Sequence, residues 1–126
     1  MKSRSFLRAT DGATALEFAL TAPVFLGMVI GSLTIGVGLF TQIALQHGVE
    51  MAARCATINT SICGSSSSIQ TYAVQQSLGL HPPSSTFTVS TPTCGNQVQA
   101  SYPIKLNFAV YGRRDITLTA SSCFPK

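Results

Sequence analysis

Glu17 is the side chain whose position most clearly implies a chemical role. It stands at the start of a stretch, residues 18–49, that contains no Lys, Arg, Asp or Glu. About 20 apolar residues are enough to cross the hydrocarbon core of a bilayer, so this stretch predicts a membrane-spanning helix. A carboxylate is costly in lipid unless it is paired with a cation. We therefore expect Glu17 to have a cationic partner.

The other groups able to do acid–base or nucleophilic chemistry form no recognisable catalytic set. The chain has two histidines, His47 and His81, and the acids that follow the apolar stretch are Glu50 and Asp115. Their spacing matches neither a Ser/His/Asp arrangement nor a carboxylate pair. The glycines of residues 36–38 lie inside the apolar stretch and follow no strand, so they do not form a phosphate-binding loop. We expect neither an enzyme nor a cofactor.

The cations are divided by the apolar stretch. Lys2, Arg4 and Arg8 precede it, and the formal net charge is +4. Positive charge just before a membrane helix favours a cytoplasmic N-terminus, so the remainder is predicted to be exported. The cations behind the stretch are scattered along the sequence without interleaved aromatic residues, which argues against nucleic-acid binding. They are Arg54, Lys105, Arg113, Arg114 and Lys126.

All four cysteines lie in the predicted exported part. An even number in a short extracytoplasmic region is typical of disulfides, and the absence of a CxxC pair argues against a metal site such as zinc. Four cysteines allow three connectivities. Cys55 ends the predicted long helix and Cys63 follows a short loop, which favours one bridge between them. Cys94 and Cys123 bracket two segments expected to pair, which favours the second bridge.

One long helix is predicted over residues 13–56, with its transmembrane part at about 18–40. About 44 residues would extend about 66 Å, twice the thickness of a bilayer core, so the helix should project beyond the membrane. Pro23 is expected to kink it. Two pairs of small residues four positions apart favour close packing of helices in lipid, although glycine is also simply common in membrane helices. The pairs are Gly27 with Gly31, and Ser32 with Gly36.

Residues 57–126 predict a small exported α+β region. Residues 69–78 have the spacing of a short amphipathic helix, and Gly79 is a suitable stop. Alternation with period two then indicates three strands in an antiparallel sheet, with one face against the long helix. Pro103 is expected to bend or break the middle strand. The three runs are 86–91, 96–108 and 115–123.

The beginning of the apolar stretch resembles a known family. A short basic leader, residues 1–12, ends at Gly12 and is followed by Ala-Thr-Ala-Leu-Glu-Phe, residues 13–18. This order is similar to the processing region of type IV pilin-like proteins of the Flp (tight-adherence) branch. The sequence GATALEFALTAPVFLGMVIG, residues 12–31, looks closer still to the TadE-like pseudopilins. The resemblance covers residues 8–40.

The resemblance implies a structural role in tight-adherence pilus biogenesis. A prepilin peptidase would cut between Gly12 and Ala13, and Glu17 with Phe18 would be the family's fifth-position glutamate and following aromatic. Other pilin or pseudopilin subunits, the inner-membrane assembly platform and membrane lipid would be the partners. The chain would cross the bacterial inner membrane once, with a periplasmic C-terminal region, or be incorporated into an extracellular pilus. Major Flp pilins are shorter and usually have Glu-Tyr, so a minor or priming component is favoured.

Physical chemistry gives Glu17 a consistent role. Cleavage would create an amino group on Ala13, and Glu17 of one subunit could pair with that amine on a neighbour, which would favour assembly and set its register. The alternative is an unprocessed bitopic membrane protein whose exported region binds a partner or ligand. A cleaved secretory signal is disfavoured, because the apolar stretch is longer than a 7–15-residue signal core and lacks an A-x-A site.

Overall fold

The computed structural model of the chain describes residues 11–108 and 112–125. A long helix is followed by a short helix, a single 3-10 turn and a three-stranded antiparallel sheet with strand order β1-β2-β3. The predicted α+β class, its helices, its sheet and its two disulfides are confirmed. Most of the predicted leader lies outside the described residues. The elements are α1 Asp11–Ile58, α2 Ser66–Gln75, the 3-10 turn Ser84–Thr86, β1 Phe87–Ser90, β2 Asn96–Phe108 and β3 Gly112–Phe124.

The helix α1 is a single element of 48 residues, and it continues through Pro23. At 1.5 Å per residue it is about 72 Å long. Pro23 has no N–H, so one intrahelical hydrogen bond is absent at that turn. The loss of one such bond does not end a helix of this length.

The hydrophobic core lies between the second half of α1, the inner face of the sheet and α2. Small side chains predominate on the α1 side, which lets the sheet approach the helix closely. In β2, Val98 and Ala100 are buried whereas Gln99 is exposed, as the two-residue period of a strand requires. The central buried residues are Leu45, Val49, Ala52, Ala53 and Ala56 of α1, Ile69 and Ala73 of α2, and Phe87, Val98, Ala100 and Ala120 of the sheet.

The helix α2 begins and ends three residues earlier than predicted, because serines cap it. Ser65 Oγ accepts from the Ser68 backbone N–H at 3.2 Å, and the Ser65 N–H donates to Ser68 Oγ at 3.1 Å. This capping box satisfies two backbone donors that a helix start would leave unpaired. The chain leaves the helix through Leu78 and Gly79, which both have positive φ (47° and 82°).

Gly48 permits the closest approach between α1 and the end of α2. A Cβ atom built on Gly48 would lie 2.7 Å from Ser77 Oγ and 2.9 Å from the Ala73 carbonyl oxygen. Gly48 is buried, and Ser77 is 0% exposed and donates its hydroxyl to the same Ala73 carbonyl at 2.7 Å. Any larger residue at position 48 must displace backbone atoms of α2.

The prediction that Pro103 breaks the middle strand is wrong, because β2 runs through this residue without interruption. Pro103 lies within β2 and pairs with Thr117 of β3. The pairing of β1 with β2 ends at Phe87↔Ala100, so β2 has a neighbour on one side only at Pro103. Proline is accepted where its nitrogen faces an open edge of a sheet. The strand β3 begins at Gly112, three residues before the predicted start.

Two disulfides close the folded region at its ends. Cys55–Cys63 joins the end of α1 to the loop before α2, with a Cα–Cα distance of 5.8 Å. Cys94–Cys123 joins the β1–β2 connection to the end of β3, with a Cα–Cα distance of 6.3 Å. These are the two pairs predicted from the sequence.

We predict that Gly48→Ala lowers the free energy of unfolding of the folded region by about 1–3 kcal/mol, as overpacking does, despite the better helix propensity of alanine. The measurement is denaturant unfolding in detergent, followed by near-ultraviolet circular dichroism. Gly36→Ala is the control, because nothing lies within 4 Å of a Cβ at Gly36. Equal stability of both variants would contradict the close approach.

We predict that the Cys94–Cys123 bridge stabilises the fold more than the Cys55–Cys63 bridge does. The bridges span sequence separations of 29 and 8 residues. In the chain-entropy model the longer loop gives about 1 kcal/mol more stabilisation. The two Cys→Ser pair variants are compared by denaturant midpoint. A greater loss on removing Cys55–Cys63 would mean that loop entropy does not decide the order.

Candidate assembly site on the N-terminal helix

The first half of α1 is apolar on all sides and is covered by no other described element. We call residues 12–37 the free half-helix; none of its residues is buried. Burial begins at Thr41, which is 4% exposed. The exposed large apolar side chains of the free half-helix are Leu16, Phe18, Leu20, Val24, Phe25, Leu26, Met28, Val29, Ile30, Leu33, Ile35 and Val37. A helix that is apolar all round is normally enclosed by lipid or by other helices.

The length and composition of α1 also suit a membrane. Within the described part of the chain, one helix is long and apolar enough to cross a bilayer, and its most apolar window has a mean hydropathy of 2.0 with 6% of the residues buried. A single apolar helix near the N-terminus of this kind indicates membrane anchoring.

Hydroxyl groups in the free half-helix are satisfied within the helix itself. Thr21 Oγ1 donates to the Glu17 carbonyl oxygen at 3.0 Å, and Thr34 Oγ1 donates to the Ile30 carbonyl oxygen at 2.8 Å. Ser32 Oγ donates to the Val29 carbonyl oxygen at 2.9 Å. Such back-bonding lets hydroxyls enter an apolar environment without partners elsewhere. Glu17 is then the only residue of 12–37 with an ionisable side chain.

The predicted processing residues lie at the N-terminal end of the described part of α1. Gly12 and Ala13 are both exposed. Among the described residues, nothing lies within 4 Å of a Cβ built on Gly12, so the described part of the chain does not crowd the bond between residues 12 and 13.

Glu17 and Phe18 follow one turn later. Glu17 lies four residues after Ala13, a spacing that puts the two residues on the same face of the helix. Phe18 is 73% exposed. The structure thus groups the predicted assembly residues with the predicted cleavage bond at one end of the helix.

The four small residues form two separate surfaces. At about 100° per residue, the Gly27–Gly31 pair and the Ser32–Gly36 pair lie about 140° apart around the helix axis. Nothing lies within 4 Å of a Cβ built on any of the three glycines. Gly27 is five whole turns before Leu45, which is 0% exposed under the sheet. The Gly27–Gly31 surface therefore continues the sheet-covered side of α1, and the Ser32–Gly36 surface lies on the opposite side.

Side-chain amides fix the sheet along the second half of α1. Gln42 Nε2 donates to the Thr119 carbonyl oxygen at 2.8 Å. Asn96 Nδ2 donates to the Ala56 carbonyl oxygen at 3.1 Å, near the helix end. The strand β2 therefore runs antiparallel to α1, and Ile104 reaches to 4.0 Å from a Cβ built on Gly38. Sequence patterns missed these contacts, because they join residues far apart in the chain.

The cations behind α1 are less scattered in the structure than in the sequence. Lys105, Arg113 and Arg114 are exposed on the paired ends of β2 and β3. Strand pairing therefore brings these three cations together at one end of the sheet, although they are scattered along the sequence. In the sequence, Lys105 and the two arginines lie on either side of the middle of the segment that joins the second and third strands. That arrangement was the signal that could have revealed their proximity.

The described residues contain no cluster of metal-binding side chains, and His47 has a structural contact. His47 Nδ1 lies 2.8 Å from the Gln76 carbonyl oxygen, so this histidine helps to join α1 to the end of α2. Within residues 11–108 and 112–125, no group of three or more His, Cys, Asp or Glu is placed to hold a metal ion.

Comparison with known families agrees with the N-terminal part of the structure. The TadE family model, described as TadE-like protein, matches residues 12–54, about a third of the chain. The match begins at Gly12, contains the whole free half-helix and extends into the core-forming half of α1. It confirms the TadE-like resemblance and indicates a component associated with the tight-adherence pilus. No curated protein and no solved structure matches the chain significantly.

Proposed function

From the TadE-like match over residues 12–54, we propose that this chain is a pilin-like structural component, a pseudopilin or minor pilin, of tight-adherence pilus biogenesis. A prepilin peptidase removes the leader after Gly12, and the mature chain assembles through the N-terminal half of α1. The observation that carries the proposal is the free half-helix itself, which exposes apolar side chains on every side.

The exposed area of the free half-helix supports a role in assembly. Contiguous apolar surface of this extent is not stable in water, so lipid and neighbouring helices must cover it. The Ser32–Gly36 surface allows another helix backbone to approach closely, as small residues four apart do in membranes. It lies on the side of α1 opposite the sheet, so a neighbouring helix can reach it without meeting the folded region of the same chain.

Cleavage after Gly12 would control assembly through charge. The new amine of Ala13 is a cation near the membrane face, and the leader keeps that nitrogen in an uncharged peptide bond until it is removed. Glu17 lies one turn from that position, and in a stack of such helices its carboxylate can meet the Ala13 amine of a neighbouring chain. Pairing between neighbours sets the axial register, because a mispaired carboxylate would remain uncompensated in lipid.

The proposed location follows from the same features. The basic leader favours a cytoplasmic N-terminus, and the two disulfides fit an oxidising periplasm. The chain is therefore proposed to cross the bacterial inner membrane once before it enters the pilus or its base. The prepilin peptidase, other pilin or pseudopilin subunits, the inner-membrane assembly platform and membrane lipid are the proposed partners.

We predict that the chain purified from membranes of its native cell begins at Ala13. Intact-mass spectrometry measures this directly, and Gly12→Val is expected to retain the leader because a branched side chain adjoins the scissile bond. Gly27→Val is the control within the same helix and should mature normally. A membrane-derived chain that still carries residues 1–12 would instead support an unprocessed, bitopic binding protein.

We predict that Glu17→Gln is cleaved normally but that its recovery in sheared pilus or assembly-complex fractions falls at least severalfold. The substitution keeps the size of the side chain and removes the charge that pairs with the Ala13 amine. Glu50→Gln is the matched control, since Glu50 is an exposed carboxylate on the other half of α1. Quantitative immunoblotting of both fractions is the measurement. Normal assembly of Glu17→Gln would show that charge pairing is not required.

A further inference from the structure

The ends of β2 and β3 form a two-stranded ribbon that carries three cations. We call Lys105, Arg113 and Arg114 the basic ribbon. In the strand register Arg114 lies opposite Leu106 and Lys105 lies opposite Asp115. Asp115 is the one carboxylate in this part of the ribbon, so the local charge is positive.

The two strand faces distribute these cations around the ribbon. Ile104 faces α1 at Gly38, and residues two apart on a strand share a face. Arg114, opposite Leu106, is therefore on the face towards α1, whereas Lys105 and Arg113 are on the outer face. All three are exposed. Positive charge consequently borders the ribbon on both faces.

The ribbon points towards the membrane half of α1. Thr119 is bonded to Gln42, and Ile104 lies beside Gly38, so the strands pass along α1 towards its N-terminus. The Leu106↔Arg114 pair lies two residues beyond Ile104 along β2, which adds about 7 Å in the direction of the strand. That distance corresponds to four or five helix residues, which brings Arg114 level with about residue 34 of α1.

The part of α1 that precedes this level is about as long as the hydrocarbon core of a bilayer is thick. From Gly12 to residue 34 the helix rises about 33 Å, close to the hydrocarbon thickness of about 30 Å. With the start of the free half-helix at the cytoplasmic face, the basic ribbon lies where α1 leaves lipid on the other face. Ile116, which is 41% exposed on the same ribbon, adds an apolar side chain at this boundary.

We propose that the basic ribbon binds the phosphate groups of phospholipids at the outer face of the membrane. This proposal rests on the membrane anchoring that is part of the proposed function. Arginine donates paired N–H bonds to phosphate oxygens, and lysine adds a compact charge. Two contacts then fix the chain in the bilayer, α1 through the hydrocarbon and the ribbon at the headgroups. The ribbon sets how deeply α1 lies in the membrane and favours anionic lipid.

The test uses the full chain in vesicles of phosphatidylcholine, alone or mixed with phosphatidylglycerol. The chain has no tryptophan, so Leu106→Trp gives a single fluorescent reporter opposite Arg114. Thr93→Trp is the matched reporter in the β1–β2 connection, near the far end of the folded region. Lipid with a spin label on its headgroup quenches tryptophan only at short range. We expect severalfold stronger quenching of Leu106→Trp than of Thr93→Trp.

The role of charge is tested by adding Arg113→Gln and Arg114→Gln to the Leu106→Trp chain. Quenching is expected to fall severalfold in vesicles with phosphatidylglycerol and to become weaker as salt is raised. Arg54→Gln, which removes an exposed cation from α1, should leave quenching unchanged. Near-ultraviolet circular dichroism and non-reducing peptide mapping verify that each variant is folded with both disulfides.

Two results would overturn the proposal. Equal quenching of the two reporters would mean that the ribbon does not lie at the headgroups, and quenching that is insensitive to both arginine substitutions would mean that its cations do not bind them. Neither readout needs leader cleavage or pilus assembly. A failure of the pilin role would therefore appear in the mass and assembly measurements and leave this experiment interpretable.

Discussion

The sheet covers only part of α1, and the rest of the structure depends on this partial cover. Burial against the sheet begins at Thr41, and on the preceding residues the large apolar side chains are exposed on all sides. Exposing such a large apolar surface to water is unfavourable in free energy, so this surface must be covered. One unbroken helix thus meets two different environments. Its second half completes a small folded region, and its first half requires lipid or other helices.

The folded region compensates for its small core by close approach and by covalent bridges. The buried face of α1 consists largely of alanine, with Leu45 and Val49 as its larger residues, so the sheet lies near the helix backbone. Little apolar area is buried per residue in a region of this size. The amides of Gln42, Gln70 and Asn96 then bond backbone carbonyls across elements and add directional contacts that small side chains cannot provide. The two disulfides lower the conformational entropy of the unfolded chain and so stabilise the folded region.

The long helix and the three strands were predicted from periodicity, the Cys55–Cys63 bridge from nearness in the chain, and the Cys94–Cys123 bridge from the expected pairing of the strands that it brackets. What local patterns missed depends on contacts between distant residues. Pro103 looked like a break because the short reach of β1 cannot be read from alternation. No local pattern distinguishes Gly48, whose importance depends on the approach of α2 to α1. Lys105 and Arg114 appeared unrelated until strand pairing joined them. At the candidate site, by contrast, Gly12 and Glu17 lie near each other on one helix, so the sequence alone places them together, and their roles stay predictions.

The continuity of α1 has a mechanical consequence. No linker separates its apolar half from the half that belongs to the core, so an axial pull on the N-terminal end is transmitted to the sheet without slack. The hydrogen bonds from Gln42 to Thr119 and from Asn96 to Ala56 join α1 to the sheet at two levels about 21 Å apart along the helix axis, and both oppose sliding of the helix past the sheet. The Cys55–Cys63 bond ties the end of α1 to the following loop. The folded region and the helix therefore move together as one rigid body. Moving the helix out of a bilayer does not require the folded region to unfold.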